Sequence, residues 1–262
     1  MISVSNIGTG VGSSSQRAAG GAPSFAIERS LRFDGVNDYA SQGSLSTAGF
    51  QPFNNKDWTV TFWAKSDGTR FVNNGAAVSV VVANNAAAKT MVRFQNDGVS
   101  DSKVSIKSNN IAFASSYTIT SAKCQVWQHY AVVVTQNGAN QDVEIYVNGT
   151  SVDTGSISAN TLLNTSVDVC LGTANNSTAF NAFKGYVSEI GCWETALSSG
   201  DIAAIYGGGS GADLTTIGTV KGYYRPLTTD GPTTGTITDV SGNQDCTMNG
   251  FVSPYGVTTD TP

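Results

Sequence analysis

The chain has 262 residues, enough for one large domain or two small ones, and only 13% of them are charged. Its formal charge of −5 argues against a nucleic-acid binder, which needs a basic footprint for phosphate contacts. Gly, Ser, Thr and Asn are abundant while helix-favouring residues are scarce, so strands and turns should dominate.

Residues 1–28 are small, polar and aperiodic, with Gly20, Gly21 and Pro23 as breakers. They read as an N-terminal arm or docking segment. Met1 to Gly21 lacks the basic start and apolar core of a signal peptide, and no segment reaches the length of a membrane span. The expectation is a native start and a product made and left in the cytoplasm. Two short β-type runs follow, Leu31–Phe33 and Tyr39–Ser41, around the turn Asp34-Gly35-Val36-Asn37-Asp38. Asp and Asn side chains bond to their own backbone in such turns, and Gly accepts a positive φ. The same oxygens suit a hard cation such as calcium, so both readings stand at this point.

From Asp57 to Lys65 the pattern alternates, with Trp58, Val60, Phe62 and Ala64 on one face and Thr59, Thr61 and Trp63 on the other. Aromatics on both faces predict a central strand. Strands are also predicted over Ala76–Ala83, Thr90–Gln95 and Lys103–Lys107, the last two joined by a hairpin-type turn at Asn96-Asp97-Gly98. Trp127–Thr135 leads through Gln136-Asn137-Gly138 into Asp142–Val147, which ends in the tight-turn pair Asn148-Gly149. Val167–Leu171 and Phe183–Trp193 follow. One helix is predicted near 198–206, with Ser198 to Asp201 as a capping box and Gly207 to Gly209 as its stop. Val220–Arg225, Thr236–Val240 and Cys246–Met248 read as closing strands. The fold class is all-β, an antiparallel two-sheet sandwich.

Catalytic chemistry is hard to find. Glu144, Glu189 and Glu194 stand apart, without the paired spacing of glycosidase carboxylates. His129 is the only histidine and has no G-x-S-x-G elbow to accompany it, so neither a triad nor a histidine-based zinc site is expected. Gly8 to Gly12 lacks the flanking strand, helix and Lys-Ser/Thr pair of a phosphate loop. Cys124, Cys170, Cys192 and Cys246 read as buried thiols, with a Cys170–Cys192 bridge as the alternative in an oxidising setting. The four tryptophans, Trp58, Trp63, Trp127 and Trp193, could stack on sugars, but core packing is expected for most of them. Loop residues Asp67, Asn73, Asn74, Asn84, Asn96, Asp97, Asn175 and Asn176 are the candidate ligand-binding set, being short hydrogen-bonding groups on a rigid scaffold.

Five blocks in order complete the reading: Ser30 to Tyr39, Trp58 to Trp63, Trp127 to Val133, Glu144 to Gly149, and Phe183 through Trp193 to Ser198. Together they resemble the laminin-G-like, concanavalin-A-like jelly-roll family over about residues 29–206. The resemblance implies a jelly roll over 29–210, with a C-terminal β segment, 211–262, packed on it. Its members mostly bind glycans, proteins or calcium and are not catalysts. It also implies a calcium ion held by Asp34, Asn37 and Asp38, with Glu189 from the late strand. The missing secretion signal fits those members built into bacteriophage tails, fibres and capsid decorations. The expectation is therefore a non-catalytic virion structural protein. It would be a homo-oligomer that meets other virion proteins through residues 1–28 and touches a glycan or host surface. The alternative is a secreted or cell-surface carbohydrate-binding or adhesion module.

Overall fold

The computed structural model describes residues 25–43, 50–51, 56–68, 71, 78–84, 89–96, 102–108, 111–158, 168–174 and 182–262. The first strands in chain order are β1 (Ser30–Asp34), β2 (Tyr39–Ser41), β3 (Trp58–Ser66), β4 (Val78–Asn84), β5 (Lys89–Asn96), β6 (Ser102–Ser108) and β7 (Ile111–Ala114). After a single helical turn, α1 (Ser121–Cys124), come β8 (Gln128–Asn137), β9 (Asn140–Val147), β10 (Thr150–Ser158), β11 (Asp168–Leu171) and β12 (Lys184–Trp193). Helix α2 (Ser199–Tyr206) precedes β13 (Val220–Tyr224), β14 (Thr236–Ile237), β15 (Cys246–Asn249) and β16 (Gly256–Thr258).

All described pairings are antiparallel and form two sheets. The first runs β10-β9-β8-β3-β12-β1-β16, with β13 also on β12; the second runs β14-β15-β2-β11-β4-β5-β6-β7. The sandwich is as expected, and β3 is central, between β8 and β12. Alternation explains the packing. Trp58, Val60, Phe62 and Ala64 point between the sheets, where Phe62, Phe71, Phe94, Tyr130 and Phe183 meet as an aromatic heart. Phe71 and Phe94 lie nearly parallel with ring centroids 3.9 Å apart, and Tyr130 meets Phe94 edge-on at 5.1 Å, the geometry that suits the ring quadrupole.

The predicted helix is present with its reciprocal cap. Ser198 Oγ accepts from Asp201 N, and the Asp201 carboxylate accepts from Ser198 N. Gly207 ends it at φ 58. The helix covers part of the outer face of the first sheet, burying Ile202 and Ile205 against Ala131, Val133, Tyr146, Trp193 and Tyr223. Residues 211–262 are built into both sheets: β13 pairs with β12, β16 with β1, and β15 with β2. Strand β10 was not foreseen, because its run Thr150–Ser158 is an edge strand of small polar residues with little apolar alternation. Strands β7 and β16 and the turn α1 were missed because each is only three or four residues long, too short to show a period. The stretch Thr236–Val240 keeps only Thr236–Ile237 as strand, since Asp239 turns its carboxylate to the backbone of Ser241, Tyr223 and Gln244.

Candidate functional site

The outer face of the first sheet has two halves. One lies under α2, where Trp63 stacks on Tyr206 at 5.7 Å. The other presents a row that crosses neighbouring strands: Trp127, Lys65, Tyr186, Arg32 and Tyr255. Register builds it, because Lys65 of β3 pairs with Tyr186 of β12, and Tyr186 pairs with Arg32 of β1. Aromatic rings and cations alternate along the row. The Lys65 ammonium lies 5.4 Å from the Trp127 ring and 4.6 Å from Tyr186; the Arg32 guanidinium lies 5.2 Å from Tyr186 and 4.7 Å from Tyr255. All five side chains are half-buried. Such contacts add about 0.5–1 kcal/mol each at exposed sites and, more to the point, hold the rings in place.

Two carboxylates fix the cations. Arg32 Nη2 donates to Asp67 Oδ2 at 2.8 Å, and Lys65 Nζ donates to Asp260. Asp260 Oδ1 also accepts from Trp127 Nε1 at 2.9 Å, so the indole is held by its polar edge. Burial works to raise the Asp260 carboxyl, but the bonds from Lys65 and Trp127 outweigh it and hold the pKa below the usual value. Lys65, Ser66, Asp67, Gly68, Gln125 and Tyr186 line an open cleft of about 430 Å³ beside this row. Next to Tyr186, Gly185 pairs with Ser66. A Cβ there would sit 2.4 Å from Lys65 O, at a φ of +143, so only glycine lets β12 pass under the turn.

Of the candidate ligand-binding set, Asp67 lies in this cleft. Asn84 and Asn96 close β4 and β5 in the other sheet, while Asn73, Asn74, Asp97, Asn175 and Asn176 lie outside the described residues. Lys65, Tyr186, Arg32 and Gln125 were not singled out from sequence. The available signal was Lys65 as the last outward position of the alternating β3 run. Trp58, Trp63 and Trp193 are buried, as expected for most of the tryptophans, and Trp127 is the one left half-exposed. The remaining chemical candidates stay apart. His129 is fully buried between Trp63 and Tyr206, and burial pushes its pKa down to about 3. Glu194 accepts from Gln51 N and Lys56. The four cysteines are buried thiols outside any disulfide, so the Cys170–Cys192 bridge is not formed.

Residues 34–203 match the family model described as the concanavalin A-like lectin/glucanases superfamily. The chain belongs to that superfamily. No curated protein matches it. Among solved structures, a candidate carbohydrate-binding protein from Bacteroides ovatus is 17% identical with a TM-score of 0.62. That comparison covers 91% of this chain and 62% of the other, so the chain spans less than two thirds of that relative. A heptameric SAP-like pentraxin from Limulus polyphemus is 12% identical over 68% of this chain and 82% of its own, at a TM-score of 0.49. The CBM40 of a Ruminococcus gnavus IT-sialidase is 12% identical over 70% of this chain and 100% of its own, at 0.48. These likenesses concern the fold.

The calcium that resemblance to this superfamily implies can be tested against the acidic turn. Asp34 Oδ1 accepts from the backbone N–H groups of Val36, Asn37 and Asp38, and Asp38 Oδ2 accepts from Asp34 N. Asp38 Oδ1 is buried and unpaired, and burial pushes the carboxyl up to about 6. Asp34 Oδ1 and Asp38 Oδ2 are thus spent on the turn's own backbone, where calcium would draw on six to eight oxygens. Among the described residues no group of three or more His, Cys, Asp or Glu is placed to hold a metal. Glu189 does not join the turn. Asp34 pairs with Lys184, which leaves Glu189 five residues, about 16 Å, along β12 at the strand rise. It is buried instead against Tyr223, whose hydroxyl donates to Oε2, with Arg225 Nε 3.3 Å from Oε1. The four residues named for the ion therefore do not converge, since Glu189 lies apart from Asp34, Asn37 and Asp38.

Proposed function

We propose that this chain is a carbohydrate-binding module and that the cleft beside Trp127, Lys65 and Tyr186 receives the saccharide. The observation that carries this reading is the row of half-exposed rings whose orientation is set by Asp67 and Asp260. A pyranose offers an apolar face that a ring can cover and a rim of hydroxyls that needs short polar partners. Trp127 and Tyr186, 6.1 Å apart at 65°, supply the first; Asp67, Ser66 and Gln125 supply the second. The rings and cations are held before any ligand arrives, which limits the ordering cost of binding. Fold family and neighbours support the module reading over a virion component, and the arm that would dock onto a particle, residues 1–24 above all, lies outside the described residues. The reading is of binding rather than cleavage because the carboxylates beside the cleft are engaged, Asp67 by Arg32 and Asp260 by Lys65 and Trp127.

The test is a panel of neutral oligosaccharides read by glycan array and calorimetry, with Trp127→Ala and Tyr186→Ala beside the wild type. Loss of a stacking ring should weaken binding by about tenfold at constant fold, as judged by circular dichroism. Saccharide binding that survives both substitutions would move the site elsewhere, and no binding across the panel would remove the reading.

A further inference from the structure

The outer face of the second sheet carries an unusual charge distribution for an acidic chain. Strands β4 to β7 contain Lys89, Arg93, Lys103 and Lys107 and no Asp or Glu. Alternation turns Val92, Phe94, Val104 and Ile106 into the core, so Arg93, Gln95, Lys103, Ser105 and Lys107 face outward. Register sets the spacing. Lys103 and Lys107 lie four residues apart on β6, about 13 Å, and Arg93 pairs with Ser105 midway between them on the adjacent strand, about 4.8 Å away.

Arg93 is the central member. Its Nε donates to Ser105 Oγ at 3.0 Å and its Nη2 to Gln95 Oε1 at 3.2 Å, so two neutral neighbours hold the guanidinium against the sheet. Among the described residues no carboxylate pairs with it, unlike Arg32 and Arg225. Burial lowers its pKa without an acidic neighbour to offset the loss. A partly desolvated cation is costly unless an anion completes it. On the neighbouring β11, Asp168 accepts from Gly43 N through Oδ1; Asp97 and Asp101 of the β5–β6 connection lie outside the described residues.

We propose that this face is a second binding surface, for an acidic polysaccharide whose carboxylates meet Arg93, Lys103 and Lys107. Charge complementarity selects an anion, and the flat spread of three cations along the strands selects an extended polymer over a compact ligand. The guanidinium, fixed in plane, suits a carboxylate. Nucleic acid is disfavoured as occupant because the whole chain carries −5 and three cations neutralise few phosphates. The choice of a saccharide polymer rests on the carbohydrate reading above, but the two surfaces lie on opposite sheets and fail separately.

The experiment measures binding of polygalacturonate, a neutral polymer of similar length and single-stranded DNA at low and physiological salt, for wild type, R93Q, K103Q/K107Q and Trp127→Ala. Polygalacturonate should bind, weaken with salt and lose about tenfold in K103Q/K107Q and in R93Q, while Trp127→Ala leaves it unchanged. The lysine pair is half-buried surface, so K103Q/K107Q keeps the test valid even if R93Q fails to fold. No binding of polygalacturonate, binding indifferent to the lysines, or equal binding of DNA would each overturn the proposal. Loss of polygalacturonate only in Trp127→Ala would also overturn it, by assigning acidic and neutral sugars to the same cleft.

Discussion

Glu189 gives the sharpest test of the electrostatics inside the sandwich. It sits in mid-strand with φ 48, buried to 3% exposure, between Tyr223 and Arg225. Burial is the largest influence on it and outweighs the Tyr223 bond and the Arg225 charge, pushing its pKa from 4.5 up to about 7. A carboxyl with a raised folded pKa stabilises the fold only while protonated. Its contribution is complete below 4.5, declines as pH rises through this interval and is gone above about 7. At about 1.4 kcal/mol for each pH step, the interval amounts to about 3 kcal/mol. Glu189→Gln keeps the shape and removes the titration. Urea unfolding of both proteins at about pH 4.5 and pH 7.5 should show the wild type losing about 2–3 kcal/mol more than the variant. Asp38, also raised, is present in both and cancels in the difference. Parallel pH profiles would refute the reasoning. A wild type that gains on the variant as pH rises would show that Arg225 keeps the carboxylate ionised.

Gly185→Ala should cost about 1–3 kcal/mol, because a Cβ would press on Lys65 O in a backbone region that favours glycine; equilibrium unfolding reads the loss, and saccharide affinity should fall with it as the turn at Asp67 shifts. Phe94→Ala removes the ring shared by Phe62, Phe71, Tyr130 and Phe183, so about 3–5 kcal/mol should disappear from the denaturant midpoint. Ser198→Ala breaks the reciprocal cap of α2, for about 1 kcal/mol in the same assay.

Local chemistry was legible in the chain itself. Alternation over Asp57–Lys65 identified a strand with one face in the core, Asn148-Gly149 identified a tight turn now seen with φ 50 and 75, and Ser198 to Asp201 identified a capped helix. These signals survive because neighbours along the chain make the interactions. The acidic turn was read both as a self-bonded turn and as a cation site, since sequence cannot say whether an Asp oxygen faces its own backbone or outward. Strand β10 escaped because an edge strand can be polar on most of its length and still pair.

What the residues determined alone is the class: two antiparallel layers, aromatic inside, joined by Asn- and Gly-rich turns. What tertiary structure decided is which side chains meet. Trp127, Lys65, Tyr186 and Arg32 come from four separate parts of the chain and become neighbours only through the registers of β3, β12 and β1. Glu189 likewise finds Tyr223 and Arg225 through the β12–β13 neighbourhood instead of the distant turn. Periodicity along a strand shows which face a residue takes. Only the pairing of strands, driven by burial of a shared core, chooses who stands beside it.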